Sequence, residues 1–195
     1  RHGRRISPVI LLAASLTILA AAAFASVALG ARPLSLETVW QALTSADPAN
    51  GDHAVVLSRL PRTVSALLIG AALGLAGTAL QGMTRNPLAD PGIMGLNAGA
   101  AFAVVTAIYV FGVTSFTGYV WFALAGTALA ALLVYAVAAL GREGATPVKL
   151  ALAGAALTAG LTSLLSAVLV SSQQTLNTFR FWQVGTVSGR GWDVL

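Results

Sequence analysis

At 195 residues, with 57% hydrophobic and only 9% charged side chains, the chain lies far from the composition of soluble domains, which carry about 25% charge. It reads as an integral membrane protein of the all-α class. The net charge of +5 comes from basic residues set singly or in short clusters at the ends of apolar runs, and no cysteine is present; this pattern excludes a nucleic-acid partner, disulfides, thiolate catalysis and cysteine metal sites.

A helix crossing ~30 Å of hydrocarbon needs about 20 apolar residues. Five windows qualify, at about 6–30, 63–82, 92–113, 117–140 and 148–170, and together they predict a polytopic helical bundle in one transmembrane domain over 1–195. The first follows Arg1, Arg4 and Arg5 and contains Ala23-Phe24-Ala25, which could pass for a signal-peptide cleavage site. Its apolar run is longer than a signal peptide's and four more spans follow, so it is expected to stay as an anchor.

Between spans one and two, Leu36, Val39, Trp40 and Leu43 fall at i, i+3, i+4 and i+7, the pattern of a short amphipathic helix lying on the outer membrane surface. A polar loop from Asp47 to Asp52 leads back to the bilayer. Arg59 and Arg62 then flank Pro61 just ahead of span two. Arginine at a bilayer centre costs ~2.5–3.5 kcal/mol, so both belong at the surface, and interfacial anchoring alone would account for them.

Span two places Ala66, Gly70, Gly74, Thr78 and Gly82 at intervals of four, and span three repeats the device with Gly95 and Gly99. Such faces let another helix backbone approach closely, and their smoothness also suits helices that slide or rock. The turn between these spans, RNPLADPG from Arg85 to Gly92, contains Pro87 and Pro91, which exclude a continuous helix, and Asn86 before proline is biased to extended backbone. In span five Gly154, Thr158, Thr162 and Ser166 form a small, mildly polar stripe. It reads either as helix packing, with hydroxyls bonded back to their own helix, or as the lining of a pathway. Residues 175–183 suggest a last short helix carrying Phe179, Arg180 and Trp182 at the membrane interface.

A cytoplasmic N-terminus puts Arg1, Arg4, Arg5, Arg85, Arg142 and Lys149 inside and Arg32, Arg59, Arg62, Arg180 and Arg190 outside. The margin is small, and the trio flanking the first span tips it towards that orientation. The chain has no G-x-x-x-x-G-K-[ST] loop, and its two histidines, His2 and His53, lie outside the spans, so neither a phosphate cradle nor an intramembrane metal or Ser-His site can be built. No Asp or Glu falls mid-membrane, which disfavours a proton-coupled secondary transporter; a polytopic membrane enzyme lacks its catalytic constellation. No catalytic, cofactor-binding or metal residue is expected.

The string RLPRTVSALLIGAALGLAGTALQGMTRNPLADPGIMGLNAGA, from Arg59 to Ala100, closely resembles the iron-siderophore ABC importer permeases, the FecCD-type family that also contains cobalamin and haem permeases. The resemblance implies the N-terminal half of a permease with about ten membrane helices of about 20 apolar residues each, in the bacterial cytoplasmic (inner) membrane. Its implied partners are an extracytoplasmic siderophore-binding protein, a second permease chain and a cytoplasmic ABC ATPase dimer, which would hold the ATP and Mg. It also implies roles for particular residues. Arg59 and Arg62 would receive acidic residues of the binding protein, while Asn86, Leu88 and Thr146 would belong to a cytoplasmic gate. The fifth helix, with Gly154, Thr158, Thr162 and Ser166, would be one wall of the pathway. RFWQVG at Arg180–Gly185 and the complete RNPLADPG turn favour a ferric siderophore over cobalamin or haem.

Overall fold

The computed structural model describes residues 7–47, 49–87, 89–140, 144–189 and 191–192. Its elements are Pro8–Ala28 (α1), Leu36–Thr44 (α2), Gly51–Thr84 (α3), a 3-10 turn Pro91–Met94, Leu96–Phe111 (α4), Phe116–Ala138 (α5), Pro147–Ser171 (α6) and Gln173–Val184 (α7), with no strand among the described residues. The all-α membrane class is thus what the chain adopts. Of the five windows, α1, α3, α5 and α6 are long and apolar enough to cross a membrane. Two compact units result, one of residues up to Ala72 with those from Val187 onward, the other Leu73–Thr186.

In the first unit α1 starts on Pro8 at its first turn, where the missing N–H is harmless, and exposes large side chains such as Val9, Ile10 and Leu12. A helix apolar on all sides and open to its surroundings suits lipid. The α2 helix starts at Ser35, whose Oγ accepts from the Thr38 N–H at 3.1 Å, a standard N-cap. The expected stripe is divided between two faces of α2. Val39 and Ala42 are buried with Val27, Ala28 and Val56, whereas Leu36, Trp40 and Leu43 are exposed. Small or β-branched side chains fit the narrow space between α1 and α3, and the bulky ones are left outside.

The third helix corrects the reading of the second span. It is 34 residues long with Pro61 inside it, about 50 Å at 1.5 Å per residue, and so exceeds a ~30 Å hydrocarbon core. Span two was expected to begin at about residue 63 with Pro61 ahead of it, but the helix runs through Pro61, and two hydroxyls bond back to carbonyls beside it. Thr63 Oγ1 donates to the Arg59 carbonyl at 3.2 Å and Ser65 Oγ to the Pro61 carbonyl at 2.8 Å. Side chains of this kind make a proline tolerable within a membrane helix.

In the second unit the expected third span is also revised. Asp90 caps the 3-10 turn by accepting the Gly92 N–H at 2.7 Å, and Gly95 at φ 74° separates that turn from α4. What remains is a 16-residue helix, about 24 Å long. It closes on Gly112 at φ 62°, where the Val113 N–H returns to the Ala107 carbonyl at 3.2 Å. Helix α5 turns a buried stripe of Gly126, Ala130, Val134 and Ala138 inward. Val104, Val105 and Ile108 of α4 form the core with Phe179 of α7, whose ring stacks on Trp182 at 5.5 Å. Phe179 was expected at the membrane interface, but it is 1% exposed, whereas Arg180 and Phe181 next to it are exposed.

Candidate functional site

Arg59 and Arg62 lie one turn apart on α3, and both reach back to the end of α1. Arg59 Nη1 donates to the carbonyls of Val27 and Ala28, each at 2.9 Å, and its Nη2 to the carbonyl of Arg32 at 2.8 Å. Arg62 Nη2 donates to the Ser26 carbonyl at 2.6 Å. The two differ in what they leave accessible, since Arg59 is 8% exposed and Arg62 is half-buried. In the structure the Arg59 guanidinium is thus paired with carbonyls of its own chain. Arg32 carries the exposed positive charge nearby, in a 2.8 Å ion pair with Asp52.

The turn after α3 is built from backbone bonds. Arg85 takes a left-handed φ of 50°, the Asn86 N–H donates to the Gln81 carbonyl at 3.3 Å, and Gln81 Nε2 donates to the Pro87 carbonyl at 3.0 Å. Leu88 lies outside the described residues. Asn86, Ala89 and Asp90 share a cavity of about 70 Å³ with Pro147, Leu150 and Ala151 at the start of α6, so this turn lies against the N-terminus of α6. Thr146 is the N-cap of α6, with Oγ1 accepting from the Lys149 N–H at 3.4 Å. Pro147 beside it occupies the first helical turn, where proline is favoured. Lys149 Nζ ties the same loop to the carbonyls of Leu140 and Gly144 at 3.4 and 3.2 Å.

The stripe on α6 separates along its length. Gly154 is buried, and a Cβ there would collide with the Ile93 carbonyl and the Met94 backbone, so at this end the stripe packs against the turn before α4. Thr158 is half-buried, bonded back to the Gly154 carbonyl at 2.8 Å. Beyond it Thr162 and Ser166 are exposed, and with Thr158, Ser163 and Gly92 they line a broad open groove of about 690 Å³.

Among the glycines expected to pack helices, Gly95 approaches Gly154 and Thr158, and Gly99 lies against Gly126 and Ala130 of α5. Gly70 and Gly74 have no neighbour within 4 Å of a built Cβ. Gly126 and Gly154 are the contacts that sequence reasoning missed or misassigned. Gly126-Ala130 at i, i+4 was the available signal, masked by the abundance of alanine in that span.

The FecCD transport family model matches residues 18–195. The chain belongs to this family. It is 42% identical over 191 residues to the iron(3+)-hydroxamate import system permease protein FhuB of Bacillus subtilis (strain 168), covering 97% of this chain and 50% of that one. With the ferric enterobactin transport system permease protein FepD of Escherichia coli (strain K12) it shares 41% identity over 181 residues, covering 92% and 54%. A solved inward-facing structure described as a metal-chelate type ABC transporter superposes with a TM-score of 0.73 at 29% identity, covering 96% of this chain and 56% of that one. The chain thus spans about half the length of the relatives it matches, and it is a multi-pass membrane protein of permease type.

Proposed function

We propose that this chain is the N-terminal part of a transmembrane permease subunit of a type II ABC importer that moves a ferric siderophore across the cytoplasmic membrane by ATP-driven alternating access. The family match over nearly the whole chain carries the proposal, and relatives named for ferric hydroxamate and ferric enterobactin point to the chelate class. A binding protein would dock at the end of the molecule that carries Arg59 and Arg62, of which Arg62 is the more exposed. A second permease chain would complete the pathway, with the groove bordered by Thr158, Thr162 and Ser166 as one wall. Asn86, Leu88 and Thr146 would stand at the cytoplasmic gate, with the cavity between the turn and α6 giving the turn room to shift. ATP and Mg would be held by a partner ATPase dimer.

Uptake of labelled ferric chelates by cells lacking other iron importers tests the reading, using the full-length permease with its binding protein and ATPase. Accumulation of a ferric hydroxamate or catecholate above that of a strain without the permease is the expected result. Transport of cobalamin or haem with no ferric chelate moved would overturn the substrate class.

A further inference from the structure

The end of α1 poses a problem that its own sequence does not solve. A helix leaves its last four carbonyls without intrahelical partners, and near a membrane boundary an unpaired carbonyl is especially costly. No basic residue lies in the last turn of α1, and its C-cap Leu29 is extended rather than left-handed, so there is no glycine-type closure. The Ala25 carbonyl takes the last regular helical bond, from the Leu29 N–H at 2.8 Å, and three of the carbonyls beyond it are held by side chains: Ser26 accepts from Arg62, and Val27 and Ala28 from Arg59. The remaining Arg59 contact holds the Arg32 carbonyl in the segment leading to α2.

We infer that Arg59 is a positioning residue, a clasp that fixes the exit of α1 and the following segment onto α3. The guanidinium has a fork geometry that can serve several carbonyls at once, and a cation at a helix C-terminus is favoured by the helix dipole. Gly30 lies against the same group: a Cβ at position 30 would be 2.6 Å from Arg59 Nη2 and 2.7 Å from Cζ, so a side chain there would displace the guanidinium from its present place. Val27 and Ala28, whose carbonyls are held, also form the buried cluster with Val39, Ala42 and Val56. Release of Arg59 would therefore loosen α2 as well. The inference rests on bonds within this chain, and it stands whether or not a binding protein docks here.

The natural chain has no cysteine over these residues, so single-cysteine reporters can be read by maleimide labelling of the full-length permease in permeabilised membranes. Ala42→Cys reports on the α1–α2–α3 cluster and Ala130→Cys on the separate α4–α5 contact. Arg59→Lys keeps the charge but not the fork, while Gly30→Val keeps Arg59 and removes the space it occupies. Each should raise labelling at position 42 by at least about tenfold, as expected on losing hydrogen bonds to a charged group, and leave position 130 unreactive. The clasp is overturned if both variants label at position 42 like the parent, or if position 130 opens equally and shows general unfolding.

Discussion

At the scale of single residues, environment separates side chains that look alike in the sequence. Arg59 is enclosed by carbonyls and Arg62 is half-exposed, so Arg62→Glu should slow association with the binding protein, more so at low salt, because accessible charges act chiefly on the on-rate; equal association at every salt concentration would leave Arg62 a helix cap. Thr158 and Thr162 divide in the same way. Thr158→Leu puts a larger side chain where Thr158 Oγ1 already lies 3.2 Å from the space above Gly95, and overpacking of that kind costs about 1–3 kcal/mol. The expected result is less folded protein by size-exclusion chromatography. Thr162 faces the open groove, so Thr162→Leu should fold normally and lower transport per folded complex. Full transport per complex in that variant would remove position 162 from the pathway.

At the scale of elements, what was legible in the sequence was whatever depended on local pattern. Span positions came from apolar runs, and the short helix after span one from the spacing of Leu36, Val39, Trp40 and Leu43. The start of α3 was not legible: the helix continues through Pro61, where Thr63 and Ser65 bond back to the Arg59 and Pro61 carbonyls, and no rule about proline alone foretells that. The stripe on α6 shows the same limit, since an i+4 pattern reports a shared face but not which part of the face meets a neighbour. Helix α2 gives a direct check. Val39→Asp would bury a carboxylate in the cluster with Val27 and Val56, a change in the class that costs more than about 4 kcal/mol, whereas Trp40→Asp sits on the exposed side. The first should abolish folded protein in detergent and the second should not. Equal loss from both would mean that the outer face of α2 is also packed in the assembled permease.

At the scale of the whole molecule, sidedness decides which end of α3 could receive the proposed binding protein and which end could carry the proposed gate. The helix runs unbroken from Gly51 to Thr84, and its length of about 50 Å is enough to carry the chain from one side of a ~30 Å core to the other. Positions just outside its two ends must then face opposite compartments. Ala49 and Pro87 are both exposed, and single cysteines there in the otherwise cysteine-free chain can be tested with a membrane-impermeant maleimide on intact spheroplasts. With the N-terminus in the cytoplasm, Ala49→Cys should label at once and Pro87→Cys only after permeabilisation. The reverse pattern would place the arginine pair inside, where no extracytoplasmic partner could reach Arg62, and would transfer the gate to the outer face. Labelling of both from outside would mean that α3 does not cross the membrane, against its 34 apolar-rich residues and the family to which the chain belongs.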